Sequence, residues 1–140
     1  MKSARRFLAS PARLGQSAVE FALVMPILFL FVFGLFDLAR MYHGAITIAG
    51  AARAGARYGA MFPDQGADII AAAEAEAAGS GIDLTDSTLS EIVVSCPVDN
   101  NCVTGLPIRV EITYTMNLIL PSVLANPDVP IYAYAEFMVP

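Results

Sequence analysis

Residues 18 to 36 form a stretch of 19 with a single ionisable group, Glu20, and from Phe21 onward the run FALVMPILFLFVFGLF is apolar throughout. At about 1.5 Å of rise per residue, a helix of that length reaches just under the roughly 30 Å hydrocarbon core of a bilayer. A helix that is apolar on every side needs either a large protein core or lipid around it. The chain has 140 residues, enough for one compact domain beside such a span and too few for two independent cores. Its hydrophobic content of 56% exceeds the usual soluble range, and the excess is assigned to lipid or to an interface.

Charge gives this span a direction. Lys2, Arg5, Arg6 and Arg13 precede it with no acid among them, and Asp37 follows it. Cations gather on the cytoplasmic side of a span, so the N-terminus is expected inside and the body of the chain exported. Without those four cations the formal charge falls from −5 to −9. A body so acidic argues against nucleic acid as a partner, because phosphate contacts need clustered Lys and Arg. A cleaved secretory signal shares the basic and apolar regions, but no small-x-small site closely follows Phe36, and Ala49-Gly50-Ala51 comes about a dozen residues late.

Beyond Asp37 the sequence stays compatible with a helix, free of proline, as far as Phe62. At 100° per residue, Met41, Ala45, Ile48, Ala52, Ala56 and Gly59 share one side, while Arg40, His43, Thr47, Arg53, Arg57 and Tyr58 share the other. Pro26 interrupts one backbone hydrogen bond inside the span. A helix over residues 17 to 59 would extend roughly 65 Å, so its second half projects as a stalk or packs on the rest of the chain. Pro63-Asp64-Gln65-Gly66 ends it, residues 67 to 78 (ADIIAAAEAEAA) read as a second helix, and Gly79-Ser80-Gly81 stops that one.

The remainder reads as strand. Residues 91 to 96 (EIVVSC) and 131 to 139 (IYAYAEFMV) are candidates, the latter bounded by Pro130 and Pro140. Residues 108 to 118 alternate strictly, with Ile108, Val110, Ile112, Tyr114, Met116 and Leu118 on one face and Arg109, Glu111, Thr113, Thr115 and Asn117 on the other. The expected fold is therefore α+β: a long transmembrane and stalk helix whose outer half covers the apolar face of a small antiparallel sheet. The division expected is a cytoplasmic leader at 1–15, the helix at 16–60 and an exported head at 63–140.

Glu20 is the most informative residue, because a carboxylate within a span costs about 2.5 to 3.5 kcal/mol on insertion scales and is normally kept for a function. Proximity to the cytoplasmic interface would also account for it. Cleavage after Gly15, however, would make Gln16 the first residue and Glu20 the fifth, so a new amino terminus on one copy can meet the carboxylate of its neighbour. In low dielectric such a pair fixes register, since a misaligned neighbour leaves a charge unpaired.

The segment Leu14-Gly15-Gln16-Ser17-Ala18-Val19-Glu20-Phe21-Ala22-Leu23-Val24-Met25-Pro26 resembles the class III prepilin signal of TadE-like proteins. Asp37-Leu38-Ala39-Arg40 and Ala51-Ala52-Arg53-Ala54-Gly55-Ala56-Arg57-Tyr58-Gly59 are similar to two further blocks of that family. One departure is Ala54, where relatives often carry an acid. The resemblance implies a minor pseudopilin, cut by a prepilin peptidase after Gly15, that takes part in assembling a tight-adherence (Flp) pilus. Its implied partners are that peptidase, other pilus and pseudopilus subunits, the inner-membrane assembly machinery and the lipid bilayer. The competing readings are a single-pass membrane-anchored binding domain unrelated to pili, and a secreted domain that has lost a signal peptide.

Ala51, Gly55 and Gly59 have the small-xxx-small spacing that lets a second helix approach closely, unless they merely belong to an alanine-rich helix. Arg53 and Arg57 either meet anionic groups or form a solvated face. Cys96 and Cys102 frame a turn-rich loop, and in an exported domain a disulfide is favoured. Two cysteines without histidines nearby make a poor metal site, and their spacing is wider than a redox Cys-x-x-Cys. His43 is the sole histidine and has no nucleophile at a recognisable spacing. Neither enzyme chemistry, nor a cofactor, nor a metal is expected.

Overall fold

The structure, a computed structural model, describes residues 11–97, 102–120 and 128–140. The basic residues Lys2, Arg5 and Arg6 and the loop positions 98 to 101 lie outside that set. Two helices and three strands follow in order: α1 (Pro11–Met61), α2 (Gly66–Gly79), β1 (Ser90–Ser95), β2 (Pro107–Asn117) and β3 (Asp128–Met138). The chain divides into two compact units, Met1–Phe36 and Asp37–Pro140, with α1 contributing to both.

In the first unit α1 runs through Pro26 without losing its helical assignment. Its residues from Gly15 onward are exposed apart from the half-buried Met25 and Gly34, including large side chains such as Leu23 (69%), Ile27 (69%) and Phe31 (69%). Side chains so apolar and so uncovered suit a lipid surrounding, and this helix is the one candidate span among the described residues.

The second unit is α+β. β2 is central in a sheet of order β1-β2-β3, antiparallel to both neighbours. The alternation read in the sequence is realised: Ile108, Val110 and Ile112 are fully buried against Ile48, Ala51, Ala52 and Ala56 of α1 and Ile69 and Ala73 of α2, and Met116 and Leu118 are nearly so. The long apolar N-terminal helix thus packs, through its later half, on a three-stranded antiparallel sheet.

α2 stops for a local reason. Gly81 takes a left-handed conformation (φ 80°), its N–H bonds the Ala78 carbonyl, and Ile82 N–H reaches back to the Ala77 carbonyl. This is a Schellman cap, completed by the burial of Ile82 beside Ala77.

Two expectations need correction. Thr47, placed on the solvated side, is buried, and Ala45, placed on the covered side, is exposed. The buried arc of α1 runs through Gly44, Thr47, Ile48, Ala51, Gly55 and Gly59, because the side of the helix that faces Met116 and Ile131 of the sheet, and further along Ile69 of α2 and Ile108 of β2, is set by packing and not by the polarity of its residues. Pro130, expected to bound the last strand, lies within it. Val139 donates its N–H to Leu106 and accepts from Gly105, so the odd-numbered residues of β3 turn their amides toward β2 and the even-numbered ones turn away. A proline at an even position removes no bond of the ladder.

Candidate functional site

The residues singled out at the N-terminal end of the span occupy one turn of α1. Gly15 is exposed, and a Cβ built there would meet nothing within 4 Å. Gln16 Nε2 donates to Glu20 Oε1 at 3.2 Å, one helical turn away. Glu20 itself is exposed and stands at the head of the apolar run. The turn therefore carries a glycine that meets no neighbour among the described residues and a carboxylate that accepts from the neutral amide of Gln16.

Asp37, the first residue after the apolar run, is read from the sequence for its charge and its block, but its bonding role is not. It is 5% exposed, and its two oxygens accept the backbone N–H groups of Ile119 (3.0 Å) and Leu120 (2.7 Å). Arg40, one turn along, lies 3.7 Å from the same carboxylate. A buried carboxylate with two charge-assisted hydrogen bonds pins the chain after β2 to the helix. A lone acid at the exit of an oily run is a visible signal, but its partners lie 82 and 83 residues away and carry no side-chain mark.

Ala51, Gly55 and Gly59 are all buried on α1. A Cβ at Gly55 would stand 3.2 Å from the Ile69 carbonyl oxygen and 3.3 Å from the Ala73 Cβ, so the helix backbone approaching here is that of α2. A Cβ at Gly59 would meet the Ile108 side chain at 2.6 Å and that of Ile69 at 3.0 Å. Arg53 and Arg57 are exposed, and His43 Nε2 lies 3.2 Å from the Ser80 carbonyl oxygen.

Cys96, just past β1, is disulfide-bonded to Cys102, with Cα atoms 5.2 Å apart. On the sheet face turned away from the helices, Arg109 donates through Nη2 to the Tyr132 hydroxyl (3.1 Å) and lies 3.4 Å from Glu136 and 4.4 Å from the Tyr134 ring centre. Its Nε is 2.6 Å from Glu111, in an ion pair. This network is one of surface organisation and contains no nucleophile paired with a base.

A candidate membrane helix near the N-terminus and a disulfide-bonded C-terminal domain fit a membrane-anchored extracytoplasmic protein. No curated protein and no solved structure gives a significant match to the chain. The model of the TadE-like protein family does match, over residues 15–57, from the exposed glycine to the buried small residues of α1. That family is a component of pilus assembly and is not a known enzyme family. By this match residues 15–57, a little under a third of the chain, are a TadE-like segment.

Proposed function

We propose that this chain is a minor pseudopilin of a tight-adherence pilus, anchored in the bacterial inner membrane with its N-terminus in the cytoplasm and its C-terminal domain exported. A prepilin peptidase removes the leader by cutting between Gly15 and Gln16. The observation that supports this reading is Gly15: an exposed helical glycine costs about 1 kcal/mol relative to alanine, and no contact among the described residues accounts for it. Gly50 shares that lack of contact, but Gly15 alone stands five residues before Glu20, at the start of the segment that the family model matches. A requirement imposed from outside, by an enzyme with little room beside the scissile bond, does account for it.

Cleavage there creates a cationic amino terminus four residues before Glu20. Glu20 of a neighbouring subunit is its natural counter-ion inside the apolar assembly, where an unpaired charge is expensive. The other pilus subunits and the inner-membrane assembly machinery are the partners of this role. The acidic head, absent from a bulk filament subunit of minimal size, suits a minor component.

Mass spectrometry of the protein purified from its native cell tests the reading. A mature chain beginning at Gln16 is expected, and Gly15→Ala should accumulate the unprocessed form. A native chain that retains Met1 or Lys2 at its start would overturn the assignment.

A further inference from the structure

The outer edge of β3 is an open hydrogen-bonding edge of unusual regularity. β3 has eleven residues, pairs with β2 over its whole length without a skipped partner, and lies at the margin of the sheet. Edge strands are ordinarily protected by shortness, a bulge, lysines or proline. β3 contains no lysine, and its proline, Pro130, stands near one end. From the alternation set by Val139, the residues whose N–H and C=O point outward are Asp128, Tyr132, Tyr134, Glu136 and Met138, with Pro130 offering only its carbonyl. Among the described residues, no backbone or side-chain group takes up these donors and acceptors.

Four large apolar side chains of this strand are uncovered as well: Tyr132 (52%), Tyr134 (56%), Phe137 (40%) and Met138 (61%). Phe137 belongs to the face that packs on the helices, at the rim of the core, where a neighbouring strand would cover it.

We propose that this edge is a dimerisation surface on which β3 of a second copy adds antiparallel, with the two-fold axis at Tyr134. In that register Tyr134 pairs with itself, Tyr132 with Glu136, and Pro130 with Met138. Every outward N–H from Tyr132 to Met138 then finds an outward carbonyl, and the carbonyl of Pro130 accepts from Met138, so the proline's missing donor leaves no N–H unmatched between Pro130 and Met138, while Asp128, at the strand's end, falls opposite Pro140. Like charges do not meet. The Glu136 side chain of the second copy comes beside Tyr132, whose hydroxyl already accepts from Arg109. Shifting the axis to Glu136 would set that acid against itself, and shifting it to Tyr132 would set it against Asp128. Side chains keep their faces, so Phe137 is covered by Ile131 of the other copy.

This inference does not rest on the pilus reading, because its readouts use the purified full chain in detergent. Hydrogen exchange should show the Ala133, Ala135 and Phe137 amides protected at all concentrations. The amides of Tyr132, Tyr134 and Glu136 should become protected, slowing by about tenfold or more, only as concentration rises. Tyr134→Cys should cross-link between chains far better than Glu91→Cys on the far strand. Tyr134→Pro removes an outward N–H and no bond to β2, so it should abolish the concentration dependence while the odd-numbered amides stay protected. If that variant unfolds, Tyr134→Glu serves instead, since it leaves Arg109 a partner and places two acids at the axis. Fast exchange of the even-numbered amides at every concentration, cross-linking no better than at Glu91, or a dimer that survives Tyr134→Glu would each overturn the proposal. So would protection that appears only when a different subunit is added.

Discussion

Gly55 and Gly59 let α1 come within touching distance of Ile69, Ala73 and Ile108, which fill the space their side chains would occupy. Gly50, on the same helix, faces open space. The three glycines should therefore respond oppositely to substitution. Gly50→Ala gains helix propensity at no steric cost and should stabilise the protein by about 0.5 to 1 kcal/mol. Gly59→Val drives a branched side chain into two fully buried isoleucines and should cost about 2 kcal/mol or more. Denaturant melts in detergent measure both, and equal responses would show that packing does not set the difference. At Asp37, Asp37→Ala strands the Ile119 and Leu120 amides in a partly buried site, with an expected loss of about 1 to 3 kcal/mol, while Asp37→Asn keeps an acceptor and should lose less. Such roles were only half legible. Glu20 and Gly15 are conspicuous because each breaks the rule of its local sequence, but Asp37 breaks none that identifies two backbone amides after β2.

At the scale of the element, β2 was read from sequence almost to its ends, since a strand buried on one face and only half-buried on the other writes its burial as alternation. α1 wrote much less. Its later half is rich in Ala and Gly on all sides, so hydrophobicity does not point to the covered face, and the position of Thr47 was settled by packing. The connections have their own stabilising devices. Closing the short loop from Cys96 to Cys102 should contribute about 2 kcal/mol in the chain-entropy picture, so reductant should lower the melting temperature of the wild type and leave a doubly Cys→Ser variant unchanged. In the turn before β1, Thr85 donates to Asp83 and Thr88 to Asp86 through both hydroxyl and amide. The threonine hydroxyls first, and then the amides, hold both carboxyls below the ordinary aspartate value of 3.8. A depressed native value means that these contacts stabilise the fold above that pH and cease to do so as pH falls through the lowered values. The stability gap between wild type and Asp86→Ala should accordingly be constant at neutral pH and close under strongly acid conditions. A gap that widens in acid would contradict the assignment.

Over the whole molecule, the contrast is between a unit apolar on its surface and a unit with a buried core. The first should keep the chain in the membrane pellet after an alkaline carbonate wash, and release into the supernatant would remove the reading of residues 18–36 as a span. What the sequence determined by itself is whatever depends on near neighbours along the chain: a continuous apolar run, the strict alternation of β2, the stop after α2 and a block pattern sufficient to suggest the family. What only the tertiary structure decided depends on separations that the chain closes by folding: which side of an Ala-rich helix is covered, the bridge from Asp37 to Ile119 and Leu120, and the free edge of β3. The physical reason is the same throughout. Periodicity is imposed by local backbone geometry and is written in consecutive residues, whereas close approach and hydrogen-bond partnership arise between segments whose sequences carry no mark of each other.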